Sequence, residues 1–443
     1  MERYNPIKIE EKWQKIWEKE QTFKAKEDSK EKMFLAEMFP YPSGAGLHVG
    51  HVRNFSIVDV LARFYSQNGK NILRPFGYDT FGLPAENYAI KTGISPKAAT
   101  KTNIENFRKQ AKRLGYYIDW TRELNTSDPE YYRWTQWCFL QLFKKGLAYQ
   151  KESYQWWCPN DQTVLANEQV ENGHCWRCGA EVEKKKMKQW FFKITAYADE
   201  LLAEIDSLNW PEKIKTMQKN WIGRSEGANV KFEVAGKDLK IDIFTTRIDT
   251  ICGATFLVLA PEHALIPELT TPETQAQVTE YCANAIKKSE IERQENKEKT
   301  GVFTGSFAIN PLTKEQIPIW ISDYVLINYG DGAVMAVPAH DERDFAFAEK
   351  YQLQIKPVIE NPTEEPCFHG EGKLINSGEF NGYSSEEARA KILEKLGAKV
   401  AEKKVTYRMR DWLISRQRYW GCPIPIAYDK NGKPHAIPSG SSS

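Results

Sequence analysis

The fold of this chain is decided by residues 33–54, which read MFLAEMF, PYPSGAGL and HVGHVRN. The apolar run 33–39 predicts a buried strand, and the proline and glycine residues after it predict a loop. The next segment shows an apolar face at helical spacing, formed by Val52, Phe55, Val58, Leu61 and Tyr65. Residues 71–76 predict another short strand. Strand, glycine-rich loop, helix and strand in this order open a doubly wound α/β domain.

Length and composition set the class of protein. The 443 residues suggest about three domains. Lys and Arg total 61 against 59 Asp and Glu, which excludes a polybasic protein but leaves nucleic-acid binding through a local patch open. The eight cysteines are too sparse for a secreted disulfide scaffold, and the N-terminus lacks the apolar core of a signal peptide. No apolar run is long enough for a membrane span, so we expect a cytoplasmic, multidomain protein that does not contact a membrane.

The predicted secondary structure changes along the chain. Residues 103–149 look mostly helical, and a short insert that carries cysteines follows at 154–188. From about residue 225 a β-rich region begins, with predicted strands Asn229–Val234, Lys240–Thr246 and Gly332–Val337. We interpret this region as a separate domain.

Two histidines mark the first candidate site. His48, Gly50 and His51 follow the loop and open the predicted helix, whose N-terminus offers unpaired N–H groups to a phosphate. The imidazoles could donate hydrogen bonds to charge developing on that phosphate. The alternative is a pair of surface or capping histidines. Asp79 lies at the end of the next strand, where open α/β sheets bind ligands, and could hold an ammonium group or simply begin a turn.

A cysteine cluster is the second candidate site. Cys175 and Cys178 form a complete C-x-x-C knuckle, whereas the first knuckle has Cys158 with Asp161 in place of a second cysteine. Three thiolates with Asp161 or His174 could still surround a zinc ion. The alternative is a knuckle that keeps its shape without metal.

The third candidate site lies in the β-rich region, in the segments 244–250 and 329–344. Threonine hydroxyls and carboxylates there could bind a ribose and an ammonium group while positioning a water molecule. The alternative is that these threonines have no role in binding, because threonine is common in strands for reasons of strand propensity and packing.

Taken together, the motifs resemble those of bacterial leucyl-tRNA synthetases, in collinear order over nearly the whole chain. The segments that carry the resemblance are Pro40–Gly44, His48–Asn54, Phe81–Glu86, Asn220–Gly227 and Ser415–Gly421. The resemblance implies an α/β fold: an incomplete Rossmann-like class I catalytic domain with a small zinc-ribbon-like insert and an inserted β-rich editing domain. The implied segments are 1–153 (N-terminal half of the catalytic domain), 154–188 (zinc-ribbon-like insert), 189–224 (connection to the core), 225–408 (editing domain) and 409–443 (return strand and truncated tail).

The resemblance also implies the chemistry of the first site. In that family the histidine motif, here His48, Gly50 and His51, binds ATP with Mg²⁺ and stabilises the transition state of adenylate formation. The leucine pocket corresponds to Met38, Phe39, Tyr41 and Asp79, with Asp79 holding the amino group.

The family's editing domain hydrolyses tRNA that carries the wrong amino acid. The matching residues here are Thr245, Thr246, Arg247, Thr250, Met335, Asp341 and Asp344. By this resemblance Thr250 excludes leucine sterically and Asp344 holds the amino group of the substrate. Synthetases for small apolar side chains need such a site because one methylene is worth only about 1–3 kcal/mol of discrimination.

Three features depart from the family pattern. Ile248 replaces a usual proline, and Asp331, often threonine in the family, adds a negative charge that we expect to weaken binding of the tRNA end. Residues 409–443 contain no Lys-rich ATP loop. We therefore expect either a truncated chain or one subunit of a split enzyme that needs a complementing C-terminal half. The alternatives to a synthetase fragment acting on tRNA(Leu), leucine and ATP are a mischarged-tRNA deacylase and a tRNA-binding fragment without activity.

Overall fold

The computed structural model describes residues 5–27, 31–42, 44, 46–165, 169–171, 173–286, 288, 292–293, 296, 298–327, 331–363 and 365–437. The predicted tail at 438–443 lies outside these residues. The chain divides into two compact units, one made of residues 1–148 and 416–443 and the other of residues 149–415. This division does not test the five predicted segment boundaries, which remain predictions.

The first unit is mostly helical, with short strands. Its elements are α1 (Pro6–Glu20), β1 (Lys32–Phe34), α2 (Val49–Gln67), β2 (Asn71–Leu73), β3 (Phe76–Tyr78), α3 (Leu83–Thr92), α4 (Pro96–Leu114), β4 (Glu123–Asn125), α5 (Pro129–Lys144) and, near its end, β18 (Ile426–Tyr428) and β19 (Pro434–Ala436). Strands β1 and β2 pair in parallel around the crossover helix α2, and β3 pairs in parallel with β4. This is the strand–helix–strand unit that the sequence predicts.

The first strand is shorter than the apolar run 33–39 suggests. β1 pairs with β2 only as far as Phe34 opposite Leu73, and one further hydrogen bond joins Leu35 N to Leu73 O. Beyond that point Glu37 forms an ion pair of 2.7 Å with the fully buried Arg74. The chain leaves the ladder because a buried guanidinium requires a carboxylate partner there.

The second unit begins with the insert that carries the cysteines. Its elements are β5 (Ala148–Cys158), β6 (Thr163–Leu165), β7 (Val170–Glu171), β8 (His174–Cys175), β9 (Glu183–Phe192), α6 (Ala198–Glu204) and α7 (Glu212–Ile222). Strands β5, β6 and β9 form a four-stranded sheet with β17 (Trp412–Leu413), in the order β17-β9-β5-β6. The small hairpin β7–β8 carries Cys175.

A seven-stranded sheet forms the β-rich part of the second unit. Its strands and helices are β10 (Arg224–Val234), β11 (Lys240–Thr245), β12 (Phe256–Leu259), α8 (Ile266–Leu269), α9 (Gln275–Ile286), β13 (Gly301–Ile309), β14 (Gln316–Ser322), β15 (Ala333–Ala336), α10 (Glu342–Tyr351), α11 (Ser385–Leu396) and β16 (Ala401–Tyr407). The order is β11-β10-β13-β14-β12-β15, and β16 pairs with β10. The predicted strands Asn229–Val234, Lys240–Thr246 and Gly332–Val337 correspond to β10, β11 and β15.

The two ends of this β-rich part lie side by side. β10 and β16 run antiparallel from the pair Arg224–Tyr407 to the pair Val230–Ala401. Just outside the ladder, Arg408 N donates to Gly223 O at 3.0 Å. Buried apolar residues of β10, β11, β12 and β14 pack with α11 to form the largest core cluster of this unit. Among the described residues, no helix is both long enough and apolar enough to cross a bilayer.

Candidate functional sites

The histidine pair of the first unit begins helix α2 and also caps it. His51 N donates to Nδ1 of His48 at 3.3 Å, and His48 N donates to Nδ1 of His51 at 3.4 Å. The two rings stack with 3.6 Å between their centroids. Because each Nδ1 accepts a backbone N–H, the proton of each neutral ring is on Nε2. The predicted alternative of capping histidines and the predicted phosphate site are thus compatible, since capping uses Nδ1 and leaves Nε2–H as a donor.

Protonation of His51 is disfavoured by its surroundings. Burial and the neighbouring His48 lower the pKa of His51. A Cβ at Gly50 would lie 2.9 Å from Cε1 of His48, which is closer than a real contact allows. The absence of a side chain at Gly50 therefore makes room for the imidazole of His48.

The predicted leucine residues are partly brought together. The hydroxyl of Tyr41 forms a hydrogen bond with the carboxylate of Asp79, and the charge of Asp79 raises the pKa of Tyr41. Burial raises the pKa of Asp79 despite its hydrogen bonds. Phe39 packs against β3. Its ring approaches Gly77 so closely that a Cβ added at Gly77 would lie 2.6 Å from the ring. Met38, by contrast, has 79% of its surface exposed.

A cavity of about 750 Å³ also lies in the first unit. It is lined by aromatic residues that include Tyr78, Phe81 and Trp420, and by Lys97 and Lys101 of helix α4. None of the described residues predicted to bind leucine or ATP lines it. The residues predicted to bind leucine and ATP therefore lie in the first unit but do not line this cavity.

The cysteine cluster of the insert is closely spaced. One potential ligand atom from each of Cys158, Asp161, Cys175 and Cys178 lies within 4.8 Å of the others. Sγ of Cys158 lies 3.4 Å from Sγ of Cys178, and Sγ of Cys175 lies 3.5 Å from Oδ2 of Asp161. With Zn–S bonds of about 2.3 Å, the edge of a tetrahedron is about 3.8 Å, so this donor set fits the ion. Of the two candidates for the fourth ligand, it is Asp161 that joins the cluster, while His174 is exposed on β8.

The third candidate site is a cavity of about 1060 Å³ in the second unit. All seven residues predicted for the third site line it, although they come from two segments about 90 residues apart in sequence. They are Thr245, Thr246, Arg247, Thr250, Met335, Asp341 and Asp344. The strand β11 and the residues after it supply one wall, and β15 with the start of α10 supplies the other.

The carboxyl group of Asp344 is buried in the wall of this cavity. Oδ1 accepts a hydrogen bond of 2.8 Å from the hydroxyl of Tyr324, and Oδ2 accepts one of 2.9 Å from Val337 N. Burial, and then the neighbouring Asp341, raise the pKa of Asp344 to about 7. Asp341 is itself the N-cap of α10 and pairs with Arg343 at 2.8 Å, which lowers the pKa of Asp341. The two carboxylates thus differ in their affinity for a proton because of their surroundings.

Threonine hydroxyls and Arg247 are held by the chain itself. Arg247 N donates to Oγ1 of Thr245 at 3.0 Å, and Oγ1 of Thr250 donates to Arg247 O at 2.8 Å. The guanidinium of Arg247 pairs with the fully buried Asp249 at 3.0 Å, and Arg389 binds the same carboxylate at 3.2 Å. Asp249 belongs to the predicted segment 244–250 but has no predicted role; in the structure it fixes the position of Arg247.

His340 lines the cavity but is not available as a base. Its Nε2 accepts hydrogen bonds from Val358 N at 3.0 Å and Ile359 N at 3.2 Å, so Nε2 carries no proton. Its Nδ1 lies 2.7 Å from Phe368 O and donates to that carbonyl. Burial lowers the pKa of His340 and keeps the ring neutral. The ring therefore links two loops and does not take part in proton transfer.

Ile248 and Asp331, the two residues that depart from the family pattern in the β-rich region, have different surroundings. Ile248 is 3% exposed and belongs to the main core of the sheet. Asp331 pairs with Lys404 at 3.0 Å, so its negative charge has a cation partner within the chain. This pairing works against the predicted loss of tRNA affinity, which itself stays a prediction.

The charge of the cavity wall was not foreseen from the motifs. Eight lysine or arginine residues line it against two aspartates. The basic residues are Lys219, Arg224, Arg247, Arg293, Lys299, Arg343, Arg408 and Arg410. They come from separate elements, so no local sequence signal groups them. Five of them, Lys219, Arg224, Arg247, Arg293 and Arg343, pair with carboxylates of the chain, so the charge available to a ligand is smaller than the count of basic residues.

Comparisons with known proteins identify the family of this chain. A family model described as leucyl-tRNA synthetase, editing domain, matches residues 219–397. A second model, tRNA synthetases class I (I, L, M and V), matches residues 12–227 and 385–439. A leucine–tRNA ligase of Clostridium beijerinckii is 56% identical over 427 residues, covering 95% of this chain and 52% of that protein.

A solved structure is also similar. It is the crystal structure of a ternary complex of Agrobacterium radiobacter K84 agnB2 LeuRS, tRNA and LeuAMS, with a TM-score of 0.82 and 40% sequence identity. The match covers 97% of this chain and 52% of that one, so the chain spans about half the length of the relatives it matches. The predicted α/β class I fold with an inserted editing domain is confirmed, whereas these matches do not test the zinc ribbon. This chain belongs to the class I tRNA synthetases, in the group that carries the leucyl-tRNA synthetase editing domain.

Proposed function

We propose that this chain forms the activation and editing part of a leucine–tRNA ligase. The overall reaction joins leucine to tRNA(Leu) with ATP and Mg²⁺, and the editing site hydrolyses tRNA that carries a wrong amino acid. The observation that carries the proposal is the single cavity lined by all seven residues assigned to editing from sequence. A cytoplasmic location is part of the proposal, because tRNA charging supplies cytoplasmic translation.

In the proposed editing reaction, the residues position the substrate and do not form a covalent intermediate. The carboxylate of Asp344 attracts the ammonium group of the aminoacyl ester, and the basic wall attracts the phosphates of the tRNA end. Thr245, whose Oγ1 already accepts from Arg247 N, keeps its own proton free to donate to the substrate. Thr250 is 1% exposed, and its bulk limits the size of the side chain that the cavity accepts.

In the proposed activation reaction, the Nε2–H groups of His48 and His51 donate to the phosphates of ATP. This role requires rings that are fixed in orientation, and the mutual capping hydrogen bonds supply that orientation. The Asp79 carboxylate would hold the leucine ammonium with Tyr41 beside it.

We also propose that Cys158, Asp161, Cys175 and Cys178 hold zinc. The ion would tie together the knuckles of the insert and supply a structural crosslink. Metal analysis of protein purified without chelators tests this, and well under one zinc per chain contradicts it.

The experiment that tests the editing proposal is hydrolysis of norvalyl-tRNA(Leu) or isoleucyl-tRNA(Leu) by this chain. We expect release of the amino acid, and we expect Thr245→Ala and Asp344→Ala to abolish it. The matched control is Thr279→Ala, an exposed threonine of helix α9 that does not line the cavity. No release from a folded chain, or equal release from all variants, counts against the proposal.

The activation proposal needs a different assay. Leucine-dependent exchange of pyrophosphate into ATP should appear when a purified C-terminal half is added, if the enzyme is split between two chains. Release of amino acid without any such exchange would favour the second candidate, a deacylase specific for mischarged tRNA. The observation that favours this candidate over a fragment that only binds tRNA is that all seven residues assigned to editing line one cavity.

A further inference from the structure

Tyr324 is a buried residue of the large cavity with no role assigned from sequence. It follows strand β14, is 8% exposed and lines the cavity. Its hydroxyl lies 2.8 Å from Oδ1 of Asp344, 20 residues further along the chain. Its ring packs against Phe347 of helix α10, with 5.9 Å between centroids, so the position of the hydroxyl is fixed by the apolar cluster behind it.

Asp344 faces charged and titratable groups from several elements. From helix α10 come the carboxylate of Asp341, which disfavours its ionisation, and the guanidinium of Arg343, which favours it. The Cys367 thiol also lies in its electrostatic environment and is neutral at pH 7, because burial raises its pKa to about 11. The remaining groups are hydrogen-bond donors: the backbone N–H of Val337 on Oδ2 and the Tyr324 hydroxyl on Oδ1.

This arrangement gives the Tyr324 hydroxyl a specific task. Arg343 is already engaged by Asp341 at 2.8 Å, so it offers Asp344 little direct neutralisation. Each carboxylate oxygen has two acceptor sites, and the two donors occupy one on each oxygen. The remaining sites stay available to a ligand in the cavity. A protonated Asp344 would lack the charge that an ammonium group requires.

We propose that Tyr324 is a positioning residue whose hydroxyl keeps Asp344 ionised and oriented for the ammonium group of the editing substrate. The functional half of this statement rests on the proposed editing activity, whereas the contact with Asp344 does not. Loss of the hydroxyl removes a donor that favours the ionised carboxylate, so Asp344 should hold its proton to a higher pH.

The test is the titration of Asp344 in the 443-residue chain by ¹³C NMR of the aspartate carboxyl carbons. The variant Asp344→Asn identifies the signal. Tyr324→Phe should move the midpoint upward by about one pH unit, because a hydrogen bond to a charged group contributes that much. The matched control is Tyr351→Phe, since Tyr351 packs on the same Phe347 ring but its hydroxyl bonds to the backbone of Gly301. An unmoved midpoint in Tyr324→Phe, or an equal shift in Tyr351→Phe, overturns the proposal.

A second readout separates this proposal from the proposed function. The acid limb of kcat/KM for hydrolysis of norvalyl-tRNA(Leu), which reports the pKa of the free enzyme, should move upward in Tyr324→Phe by the same interval as the NMR midpoint. A moved midpoint with an unmoved acid limb overturns the link between Tyr324 and substrate binding. If the natural chain does not hydrolyse this substrate at all, the proposed editing function fails, and the NMR titration still decides whether Tyr324 controls Asp344.

Discussion

Replacement of Asp344 by asparagine should change how the stability of the second unit depends on pH. The pKa of Asp344 is about 7 in the folded chain and about 3.9 in an unfolded one. Between these values the folded state binds a proton that the unfolded state has released. A group of this kind stabilises the fold at low pH and loses that contribution as the pH rises through the folded pKa.

The magnitude follows from these two values. Between pH 5 and pH 8 the Asp344 contribution falls by about 2.5 kcal/mol, at 1.36 kcal/mol per unit of differential proton affinity. Asparagine does not titrate, so the free energy of unfolding of Asp344→Asn, relative to the natural chain, should rise by this amount over the same interval. Any constant effect of the substitution cancels, because the comparison is between two pH values.

The assay is urea unfolding at both pH values, followed by hydrogen exchange of peptides from β12 and β14. These strands lie in the interior of the seven-stranded sheet and report unfolding of the whole unit. The control is Asp341→Asn on the same helix. The pKa of Asp341 is lowered, so this group is ionised in both states from pH 5 to pH 8 and does not itself titrate there. Because its charge raises the pKa of Asp344, its replacement should only weaken the pH dependence, whereas Asp344→Asn removes the Asp344 contribution altogether. Parallel pH dependences for Asp344→Asn and the natural chain would refute the reasoning.

Three further substitutions test other parts of the structure. Gly50→Ala should destabilise the first unit in thermal unfolding, although alanine in a helix ordinarily gains about 0.5–1 kcal/mol over glycine, because the new Cβ meets the His48 ring; a gain in stability contradicts this. Asp249→Ala should cost about 2–4 kcal/mol of unfolding free energy in urea titrations, since it leaves Arg247 without its buried partner, and a loss below about 0.5 kcal/mol would falsify that estimate. Asp161→Cys should let the insert retain zinc at chelator concentrations that strip the natural chain, as measured by metal analysis, because a fourth thiolate replaces a carboxylate; earlier loss of zinc argues against Asp161 as a ligand.

The motifs named seven residues that the structure brings into one cavity, but they did not predict the electrostatics of that cavity. The residues after β11 and those around α10 each sit within a recognisable segment, so their joint location could be expected from the resemblance. The contact between Tyr324 and Asp344 could not, because the two residues belong to different elements and neither spacing nor periodicity links them. The same holds for Lys404, which offsets the charge of Asp331 from 73 positions away.

The residues of the histidine pair and of the cysteine cluster were easier to predict than the contacts that position them. The spacing of His48 and His51 predicted a helix start with two imidazoles, and the structure agrees. That the rings cap each other, and thereby fix which nitrogen carries the proton, depends on backbone geometry that residue types do not encode. For the metal site, residue types left Asp161 and His174 as alternatives, and the turn after β5 brings Asp161 within reach of the thiols.

The adjacency of β10 and β16 bears on how such a large domain could enter an existing protein. In the predicted segment boundaries the ends of this region lie near Gly223 and Arg408, and one backbone hydrogen bond of 3.0 Å joins these two residues. A host loop can therefore be replaced by this domain without moving the ends of the loop apart. Because the entropy of closing a loop grows only slowly with its length, the long insertion adds little to the cost of folding the host. A short turn that joins these two residues should therefore restore a continuous host chain after the domain is removed. The excised domain should keep its two ends paired.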